Sequence, residues 1–326
     1  MDVRVKAPAK VNLTFDVTGS LPDNYHSIVS IFQAVSLEDF LTFKVIADST
    51  EDCAITIEAE FVGHPGAFPL DQNNLIARAA RAFHAKTNTL AGKRLAVFVE
   101  KQIPIGAGLA GGSSNAAATF IGLNNLFGAP LSNAELRELA VQIGADVPFL
   151  IDGGTQLGQG KGEILEPLGV TEKLTFVIVK PRNLSISTPS VFRDYDVRLQ
   201  TDTSNWRPKQ NHDLAISSLR EGAIEVATES FGNVFEPIVF ANHPTLGAIK
   251  EYLLGLDCWC AQLSGSGPSI FAVVSNLDMA HAVRRKLKEA ETRGLAPWSK
   301  EDGWEVDCYF AESVRHGAIV DAECGK

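Results

Sequence analysis

Residues 104–115 read PIGAGLAGGSSN, a glycine-rich stretch between two regular elements. The segment before it, residues 94–100, is apolar with a β-branched and aromatic centre, which predicts a strand. The segment after it, residues 114–127, repeats Ala, Leu and Phe at helical intervals, which predicts a helix. Glycine accepts positive φ and lets the backbone approach a ligand. We expect Ser113 or Ser114 to cap the helix, whose N-terminus attracts phosphate. The stretch therefore predicts a phosphate-binding loop.

Two better-known phosphate motifs do not fit this loop. Gly106, Gly108 and Gly111 have the spacing of the dinucleotide fingerprint, but residues 101–104 separate them from the strand. The fingerprint also needs an acidic residue about 20 positions on, and residues 109–133 contain no Asp or Glu. A Walker A loop needs Lys followed by Ser or Thr, and Gly112 stands in the place of that lysine. A flexible linker would not run directly into an alanine-rich helix. Phosphate binding is favoured over a Rossmann oxidoreductase and over a linker.

Composition excludes several classes of protein. The chain has 326 residues, of which 45% are hydrophobic and 21% charged, as in a globular protein with room for two domains. The net charge of −10 disfavours a nucleic-acid or anionic-membrane partner. We find neither a run long enough for a membrane helix nor a signal peptide. The five scattered cysteines indicate free or buried thiols, so we expect a cytoplasmic protein.

Two charged side chains stand in apolar sequence. Lys10 lies in residues 6–13, which interrupt a strand predicted from Val3 to Val17. Such a lysine is commonly solvated, but beside a phosphate loop it becomes a candidate for charge stabilisation. Asp146 lies between a helix end at Gly144 and Pro148, and an Asp there costs free energy unless it is paired. It either caps the next helix or serves as a catalytic base or charge partner of Lys10.

A second loop of small residues, 263–269, reads LSGSGPS. It is either a tight turn or the second side of a cleft that holds a polyphosphate. A capping box at Ser132 predicts a helix over residues 134–143. Residues 201–213 are polar and predict a loop insertion.

Three separated segments, residues 8–13, 104–115 and 263–269, resemble the three motifs of the GHMP kinases (galactokinase, homoserine kinase, mevalonate kinase and phosphomevalonate kinase). The resemblance implies a two-domain α/β (α+β) fold with the active site between the domains. Residues 1–168 would form a ribosomal-protein-S5-like ATP-binding domain, and residues 169–326 a ferredoxin-like domain. The resemblance further implies a monomeric or homodimeric kinase that uses ATP and Mg²⁺ on a small molecule. Within the family, residues 8–13, 23–26 and 144–148 favour a polyol linked to cytidine diphosphate as that molecule.

The resemblance assigns site residues position by position. Asp146 would accept the proton of the acceptor hydroxyl, and Lys10 would orient that hydroxyl and stabilise the developing charge. The implied ATP-binding residues are Asn74, Lys101, Pro104, Gly106, Gly108, Leu109, Gly111, Gly112, Ser113, Ser114 and Asn115. The implied residues for the acceptor are Asn12, Tyr25, His26, Thr188, Phe192, Gly265, Ser266 and Gly267, with the Phe192 ring stacked on the cytosine.

One departure and two alternatives accompany this assignment. Asn24 stands where the family usually has glycine, and we expect the turn to survive because Asn tolerates positive φ. The first alternative is a GHMP kinase for another small alcohol, against which Tyr25, His26 and Phe192 argue. The second is a catalytically silent nucleotide-binding regulator, which would need neither Lys10 nor Asp146.

Overall fold

The computed structural model describes residues 2–22, 25–47, 53–63, 67–202, 204, 206–207, 210–298 and 305–322. Within these ranges the strands are β1 (Asp2–Ser20), β2 (His26–Ala47), β3 (Ala54–Phe61), β4 (Lys93–Lys101), β5 (Thr155–Gln159), β6 (Ile164–Pro167), β7 (Thr175–Pro181), β8 (Gly232–Asn233), β9 (Cys260–Leu263), β10 (Ile270–Val274), β11 (Val306–Glu312) and β12 (Ile319–Val320).

The helices of the same ranges are α1 (Leu75–Thr87), α2 (Gly111–Leu126), α3 (Asn133–Ile143), α4 (Val147–Asp152), α5 (Thr188–Thr201), α6 (His212–Arg220), α7 (Ile224–Thr228), α8 (Glu236–Asn242), α9 (Pro244–Leu254) and α10 (Leu277–Thr292). None of these described helices is long and apolar enough to cross a bilayer.

The described strands form two sheets. The first follows the order β12-β1-β2-β4-β3, with β5 on β2, β6 on β5 and β8 on β1. The second follows the order β11-β7-β10-β9. The mixed α/β architecture confirms the predicted fold class. The predicted domain boundary at residues 168/169 falls between β6 and β7 and stays a prediction.

Strand β1 is continuous, so the predicted interruption at residues 6–13 is wrong. The strand pairs antiparallel with β2 along this segment, and the register shifts between Pro8 and Ala9. Because a β-bulge accommodates proline without ending the strand, β1 carries Lys10 into the centre of the molecule.

Helix α2 follows the glycine-rich loop. It packs on β1, α1 and α4, and its residues 114–120 are buried. A Cβ at Gly122 would collide with the ring of Phe43, so glycine is required where the helix meets β2. This close packing fixes the N-terminus of α2 at the phosphate loop.

The predicted insertion over residues 201–213 is partly regular, because α5 extends to Thr201 and α6 begins at His212. Its described residues contact the first sheet. Arg207 donates to Asp16 Oδ1 and Val17 O, and the amide of Gln210 bonds both backbone groups of Phe15. The segment therefore ties the second half of the chain to β1.

Candidate active site

The glycine-rich loop between β4 and α2 is built from left-handed backbone. Gly106, Gly108 and Ala110 have φ of 63°, 77° and 55°. A Cβ at Gly108 would collide with the carbonyl oxygens of Ser264 and Gly267, so only glycine fits there. Ser264 Oγ also donates to Gly108 O at 3.1 Å. The two small-residue loops are thus in direct contact, and residues of both line the same cleft.

The N-terminus of α2 faces this loop. The helix begins at Gly111 after Ala110, and no side chain of the described residues caps it. The predicted cap by Ser113 or Ser114 is therefore wrong, because both serines lie inside the helix, where the Ser114 hydroxyl donates to Pro8 O at 2.7 Å. The first-turn N–H groups remain free of a side-chain acceptor, and such groups bind anions. The loop therefore fits the phosphates of ATP.

Lys101 and Asn74, predicted near the adenosine, lie at one end of the cleft. Lys101 Nζ is buried and donates to Asp39 Oδ2 at 2.7 Å and to Ile103 O at 2.6 Å. Burial lowers the pKa of Lys101, and the Asp39 carboxylate partly offsets this effect. Asn74 caps α1 by accepting the N–H of Ile76. Both side chains thus shape this end of the cleft.

Lys10 and Asp146 meet beside the glycine-rich loop. The distance between Lys10 Nζ and Asp146 Oδ1 is 3.7 Å. Lys10 N donates to Leu109 O at 3.1 Å, which fastens β1 to the loop. Asp146 occupies the N-cap position of α4, but its side chain makes no capping bond. The geometry therefore supports the charge pair with Lys10 rather than the cap.

Asn12 supports the ammonium group of Lys10 from within the protein. Lys10 Nζ donates to Asn12 Oδ1 at 2.7 Å, and Asn12 Nδ2 donates to Ser30 Oγ at 2.8 Å. Ser30 Oγ in turn donates to Thr14 O at 2.6 Å. The chain of bonds fixes the lysine between β1 and β2.

An aromatic pair lies at the other end of the cleft. The rings of His26 and Phe192 are stacked, with centroids 4.6 Å apart and an interplanar angle of 22°. His26 Nε2 lies 2.7 Å from Asp196 Oδ1. Tyr25 is 59% exposed, and the ammonium of Lys161 lies 4.1 Å from its ring centroid. These groups suit a planar, polar ligand. The predicted turn at Asp23 and Asn24 lies outside the described residues.

The second loop joins α5 to the cleft. Thr188 Oγ1 and Ser266 Oγ are 2.7 Å apart. Asn233 Nδ2 donates to Gly265 O at 2.7 Å, which fixes the loop from β8. The predicted residues of both halves therefore converge on one space.

A cleft of about 900 Å³ contains most of the predicted site. Its walls include Lys10, Tyr25, His26, Asn74, Lys101, Pro104, Gly106, Gly108, Leu109, Gly111, Gly112, Ser113, Asp146, Thr188, Phe192, Gly265, Ser266 and Gly267. The remaining three, Asn12, Ser114 and Asn115, are buried in the protein interior. Their measured contacts are with other protein groups, so they support the cleft from behind.

Sequence reasoning missed three side chains at this site: Asp39, Lys161 and Asp196. The sequence could have indicated Asp196, because this residue follows Phe192 by four positions on α5 and therefore lies on the same helix face. Asp39 directly follows another acidic residue, Glu38, in β2, and Lys161 lies in a glycine-rich turn. Neither position carries a pattern that predicts its contacts.

Acidic side chains are sparse around the loop. The described residues contain no group of three or more His, Cys, Asp or Glu that could hold a metal ion. A divalent cation would therefore depend on its ligand's phosphates and on water for most of its coordination.

Two family models match the chain. The model of the GHMP kinases N terminal domain matches residues 74–154, and that of the GHMP kinases C terminal matches residues 215–292. The chain belongs to the GHMP kinase family, which confirms the predicted resemblance and implies the use of ATP on a small molecule.

Relatives narrow this assignment. The 4-diphosphocytidyl-2-C-methyl-D-erythritol kinase of Alkaliphilus metalliredigens (strain QYMF) is 35% identical over 285 residues, which are 87% of this chain and 92% of the relative. A crystal structure of 4-(cytidine 5'-diphospho)-2C-methyl-D-erythritol kinase is 27% identical, with a TM-score of 0.70 over 96% of this chain and 100% of that chain. The homoserine kinase from Cytophaga hutchinsonii has a TM-score of 0.72 at 19% identity, over 98% and 97% of the two chains. That last likeness shows the fold alone.

Proposed function

We propose that the protein transfers the γ-phosphoryl group of ATP to the 2-hydroxyl of 4-diphosphocytidyl-2-C-methyl-D-erythritol in the non-mevalonate route to isoprenoids. One observation carries the proposal. A single cleft holds the Lys10–Asp146 pair beside the glycine-rich loop and the His26–Phe192 pair at its other end. The names of the relatives support the same substrate.

The nucleotide end suits a triphosphate. Phosphoryl transfer needs positioned donors and positive charge more than covalent catalysis. The first-turn N–H groups of α2 supply donors, and Lys10 supplies charge. Any Cβ at Gly108 would collide with the second loop, so the backbone of the loop rather than a side chain would face the phosphates at this position.

Asp146 is the proposed base. Its carboxylate is free of a capping bond and lies within reach of the ammonium of Lys10. As the acceptor oxygen bonds to the γ-phosphorus, the bond from that phosphorus to the β–γ bridging oxygen breaks and ADP leaves. The proton of the acceptor hydroxyl passes to Asp146, and Lys10 stabilises the negative charge on the transferring group. Asn12 keeps Lys10 in place during this step.

The cytidine end combines stacking with hydrogen bonding. The exposed ring of Tyr25 and the stacked rings of His26 and Phe192 offer flat faces for a base. Aromatic stacking is worth about 0.5–1.5 kcal/mol beyond buried area. Thr188 and Ser266 add hydroxyl groups on the same side of the cleft.

Mg²⁺ is part of the proposal, because it neutralises phosphate charge in such transfers. Ser113, in the first turn of α2, is an oxygen-bearing side chain that lines the cleft, and it would contribute a protein ligand. A cytoplasmic location and a monomeric or homodimeric state stay predictions.

The test measures ADP release from Mg-ATP with four acceptors: the cytidine compound, mevalonate, homoserine and galactose. We expect turnover with the cytidine compound alone. Turnover with another acceptor instead would assign a different small-alcohol kinase. Tight ATP binding without turnover on any acceptor would support the silent regulator.

A further inference from the structure

Asp39 is fully buried, at 0% exposure, behind the glycine-rich loop. It lies in β2, which pairs antiparallel with β4 as far as Phe40 opposite Glu100. The next residues along the two strands are Asp39 and Lys101. The carboxylate therefore stands where the backbone ladder ends and the loop begins.

The carboxylate accepts four hydrogen bonds. Oδ1 accepts the backbone N–H groups of Gln102 and Ile103, both at 2.8 Å. Oδ2 accepts Lys101 Nζ at 2.7 Å and Asn115 Nδ2 at 2.8 Å. Two carboxylate oxygens offer about four acceptor positions, so this set uses them fully.

These donors come from both ends of the loop. Gln102 and Ile103 lead out of β4, and Asn115 lies in the first five residues of α2. Between them the backbone is left-handed at Gly106, Gly108 and Ala110. Such backbone persists only where its surroundings hold it. One buried side chain thus joins the entry of the loop to the helix at its exit.

The charges of Asp39 and Lys101 are paired with each other inside the protein. Lys101 is 4% exposed, and its ammonium group donates hydrogen bonds to Asp39 and to Ile103 O. Its charge is therefore neutralised inside the protein. The negative charge of Asp39 is likewise matched by four donors, so it does not repel a polyphosphate in the cleft.

We propose that Asp39 is a positioning residue for the nucleotide: by tying β4, the glycine-rich loop and α2 together, it sets the arrangement of N–H groups that binds the phosphates of ATP. The proposal rests on the proposed function for the identity of the nucleotide. It assigns Lys101 to the scaffold of the loop, with its ammonium group turned to protein acceptors.

The test compares Asp39→Asn with the parent protein. Asparagine keeps the size of the side chain but turns an amide N–H₂ toward donors, so part of the network is lost. We expect the Kd of ATP, measured by calorimetry, to rise at least tenfold. The KM of ATP should rise with it, while the KM of the acceptor changes less than twofold.

A matched control separates positioning from loss of stability. Leu136 is fully buried in α3, which packs on α2. Leu136→Ala should lower the denaturation midpoint yet keep the parent's Kd for ATP. Equal weakening of ATP binding in Leu136→Ala, or parental ATP binding in Asp39→Asn, would overturn the proposal.

A second variant serves if Asp39→Asn does not fold. Asn115→Ala removes one donor to the carboxylate, and Asn115 is buried behind the loop. We expect its Kd for ATP to rise about threefold; an unchanged Kd would contradict the proposal. A parent that binds ATP but phosphorylates none of the acceptors would contradict the proposed function alone, and one that fails to bind ATP would contradict both.

Discussion

At the scale of single residues, the Lys10–Asp146 pair makes the sharpest prediction. Asp146→Asn keeps the shape of the side chain but removes its capacity to accept a proton. We expect kcat to fall roughly 100- to 10,000-fold, the usual contribution of a general base. The Kd of ATP should stay within about threefold of the parent's. A variant that retains parental kcat would show that Asp146 is not the base.

Asp196 gives a second prediction at this scale. It lies 2.7 Å from His26 Nε2 and so fixes the ring that stacks on Phe192. Asp196→Ala should raise the KM of the cytidine acceptor about tenfold, or about 1.4 kcal/mol, and leave the KM of ATP unchanged. Asp194→Ala is the control, because Asp194 lies on the same helix and bonds Asn242 instead. Equal effects of the two substitutions would rule out the positioning of His26.

Gly108 tests the loop itself. Gly108→Ala places a Cβ against Ser264 O and Gly267 O in left-handed backbone, which should cost about 1–3 kcal/mol of stability. It should also weaken ATP binding more than tenfold, because the two loops move apart. Gly294 is the control, since its φ is also positive, at 62°, and no heavy atom lies within 4 Å of the Cβ that alanine would add. Gly294→Ala should therefore lose some stability but retain ATP affinity.

At the scale of elements, α6 is linked to β1 by a titratable group. Thr14 Oγ1 accepts the N–H of Ile31, so its proton is available to His212 Nδ1 at 3.0 Å. Burial lowers the pKa of His212 below 6.5, although Asp16 and Asp213 partly offset the effect. The unfolded chain therefore binds a proton at a higher pH than the folded protein does.

This link predicts a pH dependence of stability. The contribution of His212 to the free energy of unfolding is complete above its unfolded pKa of about 6.5. This contribution declines as the pH falls toward the lower pKa of the folded protein. One proton limits the decline to about 1.4 kcal/mol per pH unit. Denaturation of the parent and of His212→Gln between pH 5 and about pH 8 should differ in slope. Parallel curves of stability against pH for the two proteins would contradict the lowered pKa of His212 in the folded protein.

Sequence patterns predicted the elements well where the pattern is local. The capping box at Ser132 is confirmed, because its hydroxyl accepts the Glu135 N–H while the Glu135 carboxylate accepts the Ser132 N–H. The predicted cap of α2 was wrong, because the helix begins at Gly111, before both serines, and the hydroxyl of Ser114 donates to Pro8 O. Partners 106 positions apart leave no local trace.

The candidate site shows the same contrast between local sequence patterns and contacts that only the folded chain creates. Glycines in a fixed order predicted the phosphate loop because backbone conformation limits the residues there. Asp39 escaped prediction because its four donors come from β4 and α2, whose proximity only the folded sheet creates. The resemblance to a family supplied the proposed acceptor-binding residues, which composition and periodicity did not distinguish.

At the scale of the whole molecule, the cleft lies where both sheets meet. Strand β1 carries Lys10, Gln262 Nε2 donates to Asn12 O at 2.9 Å, and Asn233 holds the second loop. These bonds place the second sheet against β1.

The pairing of β12 with β1, Val5 opposite Val320 and Lys6 opposite Ile319, has a consequence for biosynthesis. A ribosome makes β1 first, yet this edge of the strand stays uncovered until residue 320 has left the exit tunnel. Domains that fold during translation usually form in order from the N-terminus. Here the strand that holds Lys10 is synthesised before the strand that covers its edge, so a nascent chain that stops short of β12 exposes a sheet edge open to wrong partners.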